Sequence, residues 1–323
     1  MKFTLDTNEI QAAEDYLKSI GRLPSDDQLK SLEPAGAGNM NLTLRATSVA
    51  GISVIVKQAN PYVQKYPSIA APLIRAEMEA SFFRLSAKIP GVGAYLPKLL
   101  HFDGENHVQV IEDLGPGSDF TGYYIREDKP DVEIVAVLTA FLAALHKADL
   151  PAMANMDMRV LNHAHIFDLP FRKGIDLIGI QEGLFELADE IILDDGLLKQ
   201  RTKSLGEVYL QARGPSLLHG DFFPGSWLHT PSGLRIIDPE FCFSGPPEFD
   251  LGVFMAHLRF CGWNPDEIRE VMKSYGDFDK ELAGGFMGTE ILRRFFGVAQ
   301  LPLNFSIEYK RKLALEAIEM IKI

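Results

Sequence analysis

Residues 217–250 read LLHGDFFPGSWLHTPSGLRIIDPEFCFSGPPEFD. The turn signal Thr230-Pro231-Ser232-Gly233 between short apolar runs predicts a hairpin with strands over 226–229 and 234–237. Asp221 precedes the first strand, and Asp238 and Glu240 follow the second, so such a hairpin brings all three carboxylates to one end. A single aspartate there would be an ordinary turn or cap residue. Three gathered carboxylates repel one another and are costly to desolvate unless a cation or a proton is shared among them. A hard divalent cation such as Mg2+ fits, held by one or two carboxylates together with substrate phosphates. A further carboxylate beside it can act as the base in phosphoryl transfer.

The N-terminal part carries matching signals. Lys57 stands inside the apolar strand pattern SVIVKQA. It reads either as an edge-strand lysine that snorkels to water or as a contact for nucleotide phosphates, with Glu79 on the following helix holding it. The segment Gly36-Ala37-Gly38-Asn39 between two strand patterns can bring backbone N–H groups near phosphates, though many hairpins use glycine for other reasons. The order along the chain carries more weight than any one signal. Glycine loop, strand lysine, helix glutamate, hinge, catalytic aspartate and metal aspartate follow the order a kinase-like fold requires.

The rest of the chain supports a two-part organisation. Residues 7–20 predict an amphipathic helix capped by Thr7 or Asn8, and three strands follow across residues 31–59. A helix over 72–87 and two strands in LPKLLHFD and HVQVIEDLG complete a five-stranded sheet with its helix. Beyond Gly115-Pro116-Gly117 the pattern is mainly helical: 131–148, 181–193, 196–212, 247–260, 265–275, 279–298 and 306–322. The expected fold class is α+β, a protein-kinase-like two-lobed fold. It has a small antiparallel N-lobe, 1–114, that binds nucleotide, and a larger helical C-lobe, 115–323, for catalysis and substrate.

Composition excludes several alternatives. A net charge of -12 with no basic face argues against nucleic acid as a partner. Two cysteines give neither a disulfide framework nor a cysteine zinc site. No segment approaches the length of a membrane helix and no secretory signal is apparent, so the expectation is a cytoplasmic protein without a membrane partner.

HGDFFPGSWL followed by IIDPEF resembles the aminoglycoside phosphotransferase and choline kinase superfamily. Within it, GNMNLTLR, VIVKQANPYV, RAEMEA, LPKLLHFD, DPEFCFSGPPEFDLG and TEILRRFFGVAQ are most similar to the 5-methylthioribose kinases, over about residues 33–300. The resemblance implies a kinase that phosphorylates a hydroxyl of a small metabolite with ATP and Mg2+, 5-methylthioribose or a related sugar first. It implies Asp221 as the base at the acceptor, and Asp238, Glu240 and, in place of the superfamily's asparagine, Ser226 as metal ligands. Lys57 would hold ATP phosphates, paired with Glu79, under the loop of Gly36, Gly38 and Asn39. Glu112, Asp113 and Leu114 would form the hinge against adenine, Arg293 and Arg294 would approach the sugar, and His219 and Asp250 would brace the catalytic loop. A homodimer is implied by analogy.

The chain departs from the sugar-kinase pattern at Phe222-Phe223-Pro224, which puts apolar groups beside the acceptor, and its 115–215 segment is shorter. Aminoglycoside, choline or homoserine therefore stay open as acceptors, as do a nucleotide-binding pseudokinase and a metal-dependent hydrolase. Adjacent helical arginines point about 100° apart, so at most one of the pair is expected to face a single ligand directly. His163 and His165 form an HxH pair that reads as a loop or helix start without metal, and Trp227 reads as core.

Overall fold

Alternating apolar residues make strands of Leu29–Pro34, Leu42–Ser48, Ser53–Gln58, Leu99–Asp103 and Val108–Glu112. In the computed structural model, which describes residues 2–36, 38, 40–174, 181–211 and 214–323, they join in one antiparallel sheet. Its order is Leu29–Pro34, Leu42–Ser48, Ser53–Gln58, Val108–Glu112, Leu99–Asp103. One face packs Leu44, Ala46, Val54, Val56, Val108 and Val110 against Tyr16 and Leu17 of the helix Ile10–Ser19. That helix starts later than predicted and has Glu9 at its N-cap with no side-chain cap, because the Asn8 N–H donates to Asp6 instead. The strand Ser53–Gln58 is central, so Lys57 is no edge lysine; it lies opposite Thr43 on one neighbour and Gln109 on the other.

Contacts divide the chain into two compact units, Met1–Ser118 with His229–Glu240, and Asp119–Leu228 with Phe241–Ile323. The predicted hairpin forms, with strands Trp227–Thr230 and Gly233–Ile236. Residues 229–240, assigned from sequence to the second lobe, fold with the first because Asp238 and Glu240 pair there with Lys57 and Arg75. A small hairpin of Tyr62–Val63 and Tyr66–Ala70, not anticipated from the sequence, belongs to the first unit as well.

The second unit is built on the helix Lys280–Phe296, capped by Asp279, whose carboxylate accepts from the Glu281 and Leu282 N–H groups. The helices Glu248–Phe260 and Ile307–Lys322 pack against it. Gly252 permits the first of these contacts: a Cβ there would lie 2.6 Å from Phe286 Cβ and 2.7 Å from the Met287 nitrogen. Helices Val132–Lys147, Leu184–Ile191, Gly196–Gln211 and Pro265–Met272 lie within the predicted ranges. The HxH segment is neither the loop nor the helix start expected of it. Met156–His163 is α-helical and continues into a π turn, Ala164–Asp168, whose Ile166 and Phe167 pack on Tyr209, Phe249 and Phe286. Among the described residues no helix is long and apolar enough to cross a membrane.

Candidate active site

In the first unit, the strand pairing sets Lys57 and Gln109 side by side, and both reach Glu79 on the helix Arg75–Ser86. Lys57 Nζ donates to Glu79 Oε1 at 2.8 Å and to Asp238 Oδ1 at 2.7 Å, and Gln109 Nε2 donates to Glu79 Oε2 at 2.6 Å. Burial alone would lower the Lys57 pKa, yet Asp238, Glu79 and Glu240 together hold it above the ordinary lysine value. The ammonium is therefore permanently charged, as a phosphate contact requires.

Glu240 accepts a 2.6 Å bond from Asn41 Nδ2, with Arg75 Nε 3.9 Å away. Arg75 is fully buried; its guanidinium donates to Asn41 Oδ1 and to the carbonyls of Pro72, Met40 and Asn60. Burial and the neighbouring Glu79 and Asp238 push Glu240 up to about 8 even though Lys57 and Arg75 oppose the shift. Three carboxylates, Glu79, Asp238 and Glu240, thus face two cations. A divalent cation fits that deficit, and Asp238, 46% exposed at its side chain and held at φ 60°, presents its carboxylate to solvent. Among the described residues no three His, Cys, Asp or Glu side chains gather as a ready metal cage. Asp221, in the second unit, is placed with arginines.

The other residues expected at a nucleotide have mixed roles in the first unit. Asp113 is committed to structure: Arg45 binds it through Nε at 2.8 Å and Nη2 at 2.9 Å, and Ser53 Oγ donates at 2.5 Å. Burial would raise its carboxyl, but these bonds lower it. Glu112 pairs loosely with Lys98 at 3.7 Å, and Leu114 is half-buried, so main-chain groups are what the expected hinge segment offers. Gly36 has φ 153°, and a Cβ on Gly38 would sit 3.3 Å from the Asn41 carbonyl oxygen. Asn39 lies outside the described residues.

In the second unit, Asp221 sits on a loop braced by Asp250. The Asp250 carboxylate accepts the His219 N–H at 2.7 Å and the Gly220 N–H at 2.9 Å, and His146 Nε2 lies 3.2 Å from it. Gly220 has φ 85°, and a Cβ there would fall 2.1 Å from the Phe241 carbonyl oxygen, so only glycine fits. Ser226, buried, donates its hydroxyl to the Asp221 carbonyl at 3.0 Å and closes the loop. Trp227 is core, as expected. Phe222 is buried too, 5.7 Å from Phe141 and 5.6 Å from Phe254 between ring centroids, so only Phe223 of the changed pair is left beside the acid.

Arg293 Nη2 and Arg294 Nη2 both lie 3.7 Å from Asp221 Oδ1. The two side chains converge although ideal helical spacing sets them about 100° apart, because Glu290, three and four residues earlier, draws in both Nε groups, at 2.9 Å and 2.7 Å. Burial raises the Asp221 carboxyl above its usual value against the pull of Arg294 and Arg293, a direction that suits a proton acceptor. His165, in the π turn, is pushed down to about 3 by burial and by these two arginines, so its imidazole is neutral.

Sequence reasoning gave no role to Arg75, Asn41 and Gln109 in the first unit or to Tyr124, His257 and Glu290 in the second. The spacing of Glu290 to Arg293 and Arg294 was the one available signal.

The model of the phosphotransferase enzyme family matches residues 31–284. Methylthioribose kinase of Exiguobacterium sibiricum is 26% identical, over 90% of this chain and 85% of its own length. Methylthioribose kinase of Enterobacter sp. strain 638 is 30% identical, over 78% of this chain and 66% of its own. Among solved structures, choline kinase LicA of Streptococcus pneumoniae superposes with TM-score 0.55 at 14% identity, covering 96% of this chain and 98% of that one. The ADP-bound aminoglycoside phosphotransferase APH(2'')-Ib gives TM-score 0.51 at 14% identity, covering 99% of this chain and 100% of that one. The chain belongs to the phosphotransferase enzyme family. It is an ATP-dependent kinase of small molecules.

Proposed function

We propose that the chain transfers the γ-phosphoryl group of ATP to a hydroxyl of a small uncharged sugar, 5-methylthioribose first. The observation that carries this reading is the pair of guanidinium groups 3.7 Å from Asp221 Oδ1. Arg293 and Arg294 occupy the Asp221 carboxylate, so a cationic acceptor such as choline or an aminoglycoside finds no unpaired anion there. Asp221 and Glu290 cancel the charge of Arg293 and Arg294, and His165 and His257 are neutral, so an anionic acceptor gains no net attraction either. The arginine N–H groups suit hydroxyl oxygens.

In this reading Asp221 takes the hydroxyl proton as the acceptor oxygen bonds to the γ-phosphorus, and the bond to the bridging oxygen of ADP breaks. Lys57, fixed by Glu79, would neutralise the phosphates, and the backbone at Gly36, Gly38 and Asn39 would cradle them. The main chain of Glu112, Asp113 and Leu114 would meet adenine. Asp238 and Glu240 would hold Mg2+, which supplies charge neutralisation at the β,γ bridge; the bond from Ser226 to the Asp221 carbonyl leaves that serine's oxygen able to accept, not obliged to ligate.

The test is ADP release by the purified protein with ATP and Mg2+ against 5-methylthioribose, ribose, choline, homoserine and an aminoglycoside. Turnover of a neutral sugar and silence on the cations is the expected result. Turnover of choline or the aminoglycoside would overturn the charge argument, and ATP binding without transfer to any acceptor would leave a pseudokinase. Light scattering on the same sample reads the implied homodimer.

A further inference from the structure

Glu290 is 1% exposed and sits where the side chains of three elements meet. Burial alone would raise its carboxyl, yet Arg293, Arg294 and His257 hold it well below the usual carboxylate range, so it is an anion. An anion can only accept, and this fixes the proton positions next to it. His257 Nε2, 3.0 Å from Glu290 Oε1, must carry the hydrogen. Burial pushes the His257 imidazole down to about 4, so Nδ1 is bare and accepts the Tyr124 hydroxyl hydrogen at 2.6 Å. The direction is thus set from Tyr124 through His257 to Glu290.

Arg294 is held on every side but one. Its Nε donates to Glu290 Oε1, its Nη1 donates to the Ala299 carbonyl at 3.2 Å, and its plane lies 5.1 Å from the Phe223 ring centroid. Phe223 in turn packs on His257 at 5.3 Å. Nη2, buried and without a hydrogen-bond partner, is the one group left, and it points toward Asp221. A guanidinium tethered in this way offers a ligand a donor whose ordering cost has already been met in folding.

We propose that Tyr124, His257 and Glu290 form a positioning chain that fixes the Arg293 and Arg294 guanidinium groups beside Asp221 and thereby sets affinity for the phosphate acceptor. The inference rests on the sugar-kinase reading above. It also accounts for the apolar Phe223, which covers the arginine rather than the acceptor.

Three variants of the full-length protein test it. Glu290→Gln is expected to raise the acceptor KM at least tenfold with the ATP KM within twofold, a split that general loosening of the fold would not produce. His257→Leu is expected to do the same, whereas His257→Gln, whose amide N–H reaches as far as Nε2, keeps an acceptor KM near that of the unmodified protein. In the unmodified protein the Arg294 Nε–H group is expected to give a slowly exchanging proton–nitrogen NMR signal, which Glu290→Gln and His257→Leu should lose. An unchanged acceptor KM in Glu290→Gln, or equal KM values in the Leu and Gln variants of His257, overturns the proposal. If Glu290→Gln does not fold, the His257 pair decides alone. If the unmodified protein phosphorylates no acceptor, the sugar-kinase reading fails, and the Arg294 signal still decides whether the chain positions it.

Discussion

Replacing Asp250 by asparagine perturbs the loop that carries Asp221 with almost no change in volume. The Asp250 carboxylate accepts two backbone N–H groups, from His219 at 2.7 Å and Gly220 at 2.9 Å, while His146 Nε2 stands 3.2 Å off. An asparagine keeps one acceptor and turns an NH2 toward a donor. One charge-assisted bond is lost, about 2 kcal/mol, and one buried N–H is orphaned, about 1 kcal/mol or more. The sum, about 3 kcal/mol, corresponds to a fall in melting temperature of roughly 6–12 °C for a folding unit of this size. Differential scanning fluorimetry measures it, and hydrogen exchange should show the Gly220 amide losing protection ahead of the sheet amides around Lys57. A melting temperature within 2 °C of the parent, with the Gly220 amide still protected, would refute the bracing argument.

Further outcomes follow from the same geometry. Asp221→Asn should lower kcat by about a thousandfold or more with ATP affinity unchanged, measured by ADP release and nucleotide titration. Gly220→Ala must place a methyl 2.1 Å from the Phe241 carbonyl oxygen at φ 85°. It should yield little soluble protein or a melting temperature lowered by more than that of Asp250→Asn. His257, depressed to about 4 in the folded chain, takes up its proton near pH 6.5 when unfolded. The unfolded state binds more protons between those values, so stability is complete above pH 6.5 and drains away as pH falls to about 4. Urea denaturation across that range should show a shallower loss in His257→Gln.

Legibility differed by the kind of signal. Lys57 could be read because a charge within an apolar strand is out of pattern, and the strand proved central. Hairpin spacing singled out Asp221, Asp238 and Glu240 as candidates, but it gave no sign of the arginines beside Asp221 or of Asn41 beside Glu240. Arg75 opens a helix as solvent-facing arginines commonly do; its burial comes from carbonyls of Pro72, Met40 and Asn60, which only the folded chain assembles. Tyr124 and His257 are 133 residues apart, and no local periodicity encodes their contact. The π turn after His163 escaped because one extra residue in a helical turn leaves little mark on apolar spacing. The arginine pair shows the opposite failure: ideal helical geometry separated two side chains that Glu290 draws together.

The backbone passes between its two units at 118–119, 228–229 and 240–241. Twelve residues, 229–240, therefore bring Asp238 and Glu240 to Lys57 and Arg75 as an insert from the middle of the chain. A fragment ending at Ser118 would leave Lys57 with Glu79 but without Asp238, and Arg75 without Glu240. Recombination between relatives is constrained accordingly. To exchange the second unit while keeping the first intact, a chimera must swap 119–228 and 241–323 together around an untouched insert. A single crossover in the 115–117 glycine segment would import foreign acids to face a native lysine.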